Sequence, residues 1–301
     1  MTTPVPIAVP RKGRPLEAVL ERFASVAGTD AESLADDVSS TLRYEKAVTK
    51  GDLEAAHGPY ERLADYSSPA EPYAPEYTLL RDDRDGMPRR IVFDSVLIDV
   101  GDVPVHLVGR EEPFRALRTH EFALGFDSAD LVLEEVVDLR PSGVAGLDDV
   151  NTRIDPQESD VRVVTGLGDT VYHTLMATPE ILPAGADLDR SFVDDYEGDL
   201  CISPRYERLV TAVLGTDVTE NVSFTYPSRN ADEEEAAIAD TGIGVYLTVT
   251  GSTAREHGLV LGEHLFPSET VLMANAAEAS TAIDRVRDRL VREDAESVLS
   301  V

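Results

Sequence analysis

PIAVPRKGRPLEAVLERFASVAG, residues 6–28, sets the architecture. Pro6 to Pro10 is a short apolar run that reads as a strand, and the polar turn Arg11-Lys12-Gly13-Arg14 ends it. Pro15 then suits a first helical turn. Leu16, Val19, Leu20 and Phe23 recur at helical spacing until Gly28 closes the segment. Strand, basic turn and helix in that order open an α/β fold.

The alternation continues downstream. RRIVFDSVLIDVGDVPVHLVG (89–109) gives two strands around the Gly101-Asp102 turn, and REEPFRALRTHE after it is helical. FALGF is a strand, and SADLVLEEVVDL is a helix with Ser128 as its cap and Asp130 near its positive end. VRVVTGL, VYHTLMATP, DLCIS, NVSFTYP and IGVYLTVTG read as strands, with helices at PRYERLVTAVLG and ADEEEAAIAD; TAIDRVRDRLVRED is an arginine-rich last helix. Strands alternating with helices predict mixed, mostly parallel sheets. The pattern is weaker over residues 29–77, which read as one or two helices and then a loop carrying Pro69, Pro72 and Pro75. Residues 140–160 are turn-like and acidic, as for a crossing between domains.

Composition bounds the function. The 301 residues, 42% hydrophobic, suffice for one large or two medium domains. Acidic residues number 57 against 27 basic ones, and a net charge of −30 repels nucleic acid and anionic lipid alike. Neither nucleic acid nor a membrane is an expected partner. Only Lys12, Lys46 and Lys50 are lysines, and Trp is absent. The pattern is halophilic, suited to haloarchaeal cytoplasm, where a Debye length of about 3 Å or less screens the self-repulsion. Cys201 stands alone, which excludes an intramolecular disulfide and a cysteine metal cluster. No apolar run nears the roughly 20 residues of a membrane span, and the first residues lack a signal peptide's apolar core. A cytoplasmic protein is expected.

Two segments carry candidate chemistry. In Thr250-Gly251-Ser252-Thr253 a strand ends in a small hydroxylated glycine loop able to turn amides and three hydroxyls toward one phosphate. An ordinary turn with a helix cap is the alternative. Lys12 and Arg14 put two cations on a loop at the carboxyl end of a strand, facing a helix amino terminus, which suits an anionic ligand; a solvated basic turn is the alternative. The histidines at 57, 106, 120, 173, 257 and 264 show no metal-ligand spacing, so His257 and His264 read as surface or half-buried residues. No GxSxG, Walker A or GxGxxG motif occurs, and Asp232 to Glu235 reads as a solvated helix start.

Taken in order, these segments resemble the ATP phosphoribosyltransferases, the first enzymes of histidine biosynthesis. PIAVPRKGRPLEAVLERF is similar to that family's opening strand, KGRL turn and helix; GDVPVHLV to its Asp-Ile-Pro segment; and ALGFDSADLVLEE to its Gly-Ile-Thr-Gly-x-Asp stretch. GLGDTVYHTLMATPE resembles the strand entering its second domain, YEGDLCISPRYERLVTAVL a helix start beyond it, and VTGSTAREHGLVLGEHLFPSETVLMAN its phosphoribosyl-diphosphate loop and final strand. The resemblance implies a two-domain, periplasmic-binding-protein type II-like α/β fold with a central cleft. Residues 1–104 would begin domain I, with an insertion at about 29–77; residues 105–250 would include domain II, and 251–301 would close domain I and end in the last helix. It further implies transfer of a ribosyl phosphate from phosphoribosyl diphosphate to N1 of ATP, with Mg²⁺, in a glycosyltransferase that forms a homo-oligomer. The short form of the family lacks a histidine-sensing domain and works with a regulatory subunit like histidyl-tRNA synthetase.

In that resemblance Thr250 to Thr253 would hold the 5′-phosphate, their amides converging on one point, and Lys12 with Arg14 would meet pyrophosphate or nucleotide in the same cleft. The acids that hold ribose hydroxyls in the family fall at Gly242 and Tyr246, with Asp240 a substitute only in a shifted register, and arginines expected near Asp-Ile-Pro fall at Asp99 and Gly101. Two readings follow. One is the enzyme. The other is a non-catalytic paralogue that binds a phosphate ester or nucleotide, so that binding persists while turnover is slow or absent.

Overall fold

The computed structural model describes residues 3–81, 90–140, 144, 146–183, 185–227 and 234–291. These form two compact α/β units: residues 3–128, 159–169 and 270–291 make the first, and Ala129–Glu158 with Thr170–Glu269 the second. The chain passes between them at 128/129, 158/159, 169/170 and 269/270.

The first unit is built on the opening strand and helix. β1 (Val5–Pro10) buries Ile7 and Val9, and α1 (Gly13–Ala27) turns Leu16, Val19, Leu20 and Phe23 onto them. α2 (Thr29–Lys50) adds Ala31, Ala35 and Val38 to the same core. Phe23 meets the ring of Phe126 edge-on at 6.1 Å, and both are fully buried. Truncating either to Ala would cost about 3–5 kcal/mol. α3 (Pro59–Tyr66) is tied to α2 by a buried ion pair, in which Arg62 donates from Nε and Nη2 to the two carboxylate oxygens of Glu45 at 2.8 and 2.7 Å. The Tyr66 hydroxyl donates to the same carboxylate at 2.9 Å. Residues 29–77 therefore form α2, α3 and the start of β2 (Glu76–Leu80), all within the first unit.

β3 (Arg90–Val100) and β4 (Val103–Arg110) form a hairpin around Gly101-Asp102, so residue 104 lies inside a strand. α4 (Pro113–Arg118), β5 (Leu124–Ser128), β6 (Val161–Gly166), β12 (Thr270–Asn275) and α12 (Thr281–Leu290) complete the unit. Its sheet runs β2-β3-β4-β1-β5-β12-β6. α12 seats Val286 and Leu290 in the core; Arg22 caps its end by donating to the Leu290 carbonyl at 3.0 Å.

In the second unit a five-stranded sheet runs β11-β7-β10-β8-β9. Its strands are β7 (Val171–Ala177), β8 (Gly198–Ile202), β9 (Val222–Thr225), β10 (Ile243–Thr248) and β11 (Val260–Ser268). Around it lie α5 (Ala129–Val136), α6 (Leu147–Thr152), α7 (Arg190–Asp194), α8 (Glu207–Leu214), α9 (Thr216–Thr219), α10 (Glu234–Thr241) and α11 (Ser252–Glu256). α5 and α8 cap each other. Arg208 donates to the carbonyls of Leu133, Glu134 and Val137 at the end of α5, while the Glu134 carboxylate accepts from the amides of Arg208 and Leu209 at the start of α8. Burial pushes the Glu134 carboxyl up, against the pull of those two amides.

The expectation of mostly parallel sheets is overturned. β1 lies parallel to β4 and β5, but β2-β3, β3-β4, β5-β12 and β12-β6 are antiparallel. In the second sheet β10-β8 and β8-β9 are parallel, whereas β7 runs antiparallel to both β10 and β11. The cause is connection length and return direction. A two-residue turn joins β3 to β4 and permits only a hairpin, and β12 comes back from the second unit running against β5. Residues 140–160 are likewise more than a crossing, since they carry α6 and remain in the second unit as far as Glu158. Asp232 and Glu233 of the acidic helix start lie outside the described residues. No helix among the described residues is long and apolar enough to cross a membrane.

Candidate functional site

The basic turn belongs to the first unit. Gly13 takes φ +77° between β1 and the body of α1, a conformation that suits glycine. Lys12 is the N-cap residue of α1 and makes no side-chain cap bond, and the first turn holds no acid. The positive end of a 15-residue helix is thus left without side-chain acceptors of its own. The cations of the turn all meet acids. Arg11 donates from Nε to the Gly109 carbonyl at 3.1 Å and lies 3.7 Å from Asp94. Lys12 Nζ lies 3.7 Å from Glu111, both side chains being substantially exposed. Arg14 donates from Nη1 to the carboxylate and the carbonyl of Asp169.

The hydroxyl loop belongs to the second unit. β10 delivers the chain to Thr250, and Gly251 takes φ +69° before α11 begins at Ser252. The left-handed turn is backed by packing, because a β-carbon at Gly251 would lie 2.2 Å from Leu261 Cδ1. Thr250 and Ser252 are exposed and Thr253 is half-buried. The Thr250 hydroxyl lies 3.1 Å from the Ser252 hydroxyl and 3.4 Å from the Ser252 amide. The amides of Thr253 and Ala254 have no intrahelical acceptor, being in the first turn. Arg255, which the motif did not single out, donates from Nη1 to the Thr250 carbonyl at 3.0 Å and so brings a guanidinium to the loop.

The positions that depart from the resemblance have specific surroundings. Tyr246 on β10 has its hydroxyl pushed up by burial and then by the neighbouring carboxylate of Glu234 on α10. An acid therefore stands beside Tyr246, supplied from another element. Gly242 is buried, and a β-carbon there would lie 2.3 Å from Ile181 Cδ1. Asp99 accepts from the exposed Tyr73 hydroxyl at 3.3 Å. The space a side chain would fill at Gly101 is taken by the guanidinium of Arg289, which donates to the Val100 carbonyl at 2.6 Å and pairs with Asp102 alongside Arg285.

His120, His173 and His264 make specific contacts. His173 and Asp130 form a buried pair at 2.9 Å, with the imidazole stacked on Phe266 at 4.3 Å. The exposed His264 ring stacks on Tyr172 at 4.7 Å and bonds the Thr174 hydroxyl at 2.8 Å. His120 bonds Glu278 at 3.0 Å. Among the described residues no group of three or more His, Cys, Asp and Glu could hold a metal ion. A cavity of about 810 Å³ in the second unit, lined by Arg140, Arg208, Thr211, Thr216 and Asn221 among others, includes none of the candidate residues. Its Arg208 is spent on helix carbonyls, so chemistry does not follow volume here.

The whole chain, residues 1–301, matches the model of one family, the halobacterial ATP phosphoribosyltransferases. No curated protein matches it significantly. Among solved structures it is similar to the ATP phosphoribosyl transferase (HisG:HisZ) complex from Thermotoga maritima, at 14% identity over 95% of this chain and 96% of that one, with a TM-score of 0.45. It is also similar to the Synechocystis CcmR regulatory domain in complex with 2-PG, at 15% identity over 63% of this chain and 81% of that one, with a TM-score of 0.37. The full-length match decides the matter: this chain belongs to the halobacterial ATP phosphoribosyltransferase family.

Proposed function

We propose that the chain transfers the phosphoribosyl group of phosphoribosyl diphosphate to N1 of ATP, releasing pyrophosphate. The observation that carries this reading is the match of the family model to all 301 residues, which spans the basic turn, residues 29–77 and the hydroxyl loop. Thr250, Gly251, Ser252 and Thr253 hold the 5′-phosphate through hydroxyls and first-turn amides, with Arg255 adding charge. Lys12 and Arg14, at the positive end of α1, take the negative charge that grows on the departing pyrophosphate. Mg²⁺ would accompany the diphosphate and offset its charge, as the family resemblance implies. The cytoplasm, a homo-oligomer and a regulatory subunit complete the proposal on the strength of the family resemblance.

A second reading, a paralogue that binds phosphate esters without turnover, draws its support from Gly242 and the half-buried Tyr246, where the family resemblance calls for acids. Glu234 beside Tyr246 answers part of that objection. Formation of phosphoribosyl-ATP from both substrates in molar KCl, followed by absorbance, separates the two. Product supports the enzyme. Calorimetric binding of phosphoribosyl diphosphate with no product supports the paralogue.

A further inference from the structure

We propose that Asp169 is a positioning residue for Arg14, pinning one side of its guanidinium so that the opposite edge faces an incoming diphosphate oxygen. This rests on the reading of Arg14 as a diphosphate contact. The carboxylate is itself held in place: Oδ1 accepts the Thr270 amide at 2.8 Å, and Oδ2 accepts the Thr270 hydroxyl at 2.7 Å. Arg14 Nη1 completes the set by donating to Oδ2 and to the Asp169 carbonyl. Two of the three groups anchoring Asp169 thus come from the first residue of β12, a sheet strand, and would hold the carboxylate with or without Arg14.

An ion pair on a binding arginine can block it or aim it. A guanidinium has five N–H donors in a planar fork, and here only Nη1 is engaged; Nε and Nη2 have no partner among the described residues. Fixing Nη1 at two acceptors sets the plane of the group and leaves its bidentate edge for a phosphate. The pair is also shielded, with side-chain exposures of 25% for Arg14 and 17% for Asp169, so molar salt weakens it less than it weakens the exposed Lys12–Glu111 pair. Asp169 and Thr270 are the residues at which the chain leaves and re-enters the first unit. One carboxylate therefore joins the basic turn to two of the four crossings.

Titration calorimetry in molar KCl tests this with two probes, inorganic pyrophosphate and ribose 5-phosphate, on wild type, Asp169→Asn, Thr270→Val and Arg14→Ala. Asp169→Asn is expected to weaken pyrophosphate about tenfold and to leave ribose 5-phosphate unchanged, since one charge-assisted bond that orients the guanidinium is lost. A merely structural role would move both probes together. Thr270→Val, which removes the hydroxyl bond to Oδ2 and keeps the amide bond to Oδ1 and the charge, is expected to weaken pyrophosphate two- to threefold, roughly a third to a half of the logarithmic effect of the first change; it decides the question if Asp169→Asn does not fold. Unchanged or tighter pyrophosphate binding in the folded variants, with a loss in Arg14→Ala, overturns the inference alone. Unchanged binding in Arg14→Ala overturns the assignment of Arg14 as well.

Discussion

The basic turn of the first unit and the hydroxyl loop of the second, the two proposed anion sites, are built in opposite ways. At the turn each cation already has an acid: Arg11 has Asp94, Lys12 has Glu111 and Arg14 has Asp169. At the loop the hydroxyls of Thr250 and Ser252 have, among the described residues, only each other and a neighbouring amide. In a chain of net charge −30 a cation readily finds a carboxylate partner. An anion at the turn would have to compete with, or be aimed by, that partner, whereas an anion at the loop would meet short, directed donors. Salt should separate the two. Long-range attraction to the turn is screened in molar KCl, and the loop's contacts survive it.

The largest effect is expected from Gly251→Val. The left-handed φ of +69° strains any side chain there, and Leu261 Cδ1, 2.2 Å from where a β-carbon would lie, would have to move. Ribose 5-phosphate affinity should fall by about 10²-fold or more, because misplacing the donors removes several bonds together. Pyrophosphate affinity should hold. Equal losses for both probes would merge the two regions into one and erase the contrast.

A smaller effect, with the opposite sign, is expected at the turn. Glu111→Gln frees Lys12 from a partner across an exposed 3.7 Å pair. Such pairs contribute about 0–1 kcal/mol, so pyrophosphate should bind more tightly by no more than about fivefold. Weaker binding in this variant would show that Glu111 aims Lys12 as Asp169 aims Arg14.

How much of this was legible in the sequence differs by region. β1 and α1 were plain because the apolar run, Pro15 and the Leu16 to Phe23 spacing all point the same way. The β3–β4 hairpin showed itself in Gly101-Asp102. Strand direction did not, because a strand's residues encode its faces and not its neighbours' direction; β12 is an ordinary apolar strand that happens to return antiparallel beside β5. β2 was hidden by the prolines just before it, and β11 by its register shifts and by Pro267. At the site, the TGST and KGR segments stood out by composition. Their supporting residues lay beyond any local pattern: Asp169 is 155 positions from Arg14, and Arg289 fills the space at Gly101 from the last helix.

The smallest effect probes the surroundings of the turn through pH. Burial holds the His106 imidazole below its ordinary value, and Asp94, the partner of Arg11, pulls the other way. The folded protein therefore binds fewer protons at this site than the unfolded chain. The stability His106 contributes is present above about pH 6.5 and is lost as pH falls through its lowered folded value. Thermal melts between pH 7.5 and 5 should decline less steeply in His106→Gln than in wild type, by a margin of roughly a few degrees at most. Identical slopes would mean that another group carries the acid sensitivity.

The account stands or falls on catalysis by the full chain. Phosphoribosyl-ATP formation should be measured by absorbance for wild type and Gly251→Val side by side, in molar KCl with Mg²⁺, ATP and phosphoribosyl diphosphate. The predicted result is steady turnover in wild type and a loss of about 10²-fold or more in the variant, since the proposed 5′-phosphate cradle would set the geometry of attack. Calorimetric binding of phosphoribosyl diphosphate by wild type with no product would contradict it and leave the paralogue as the correct reading.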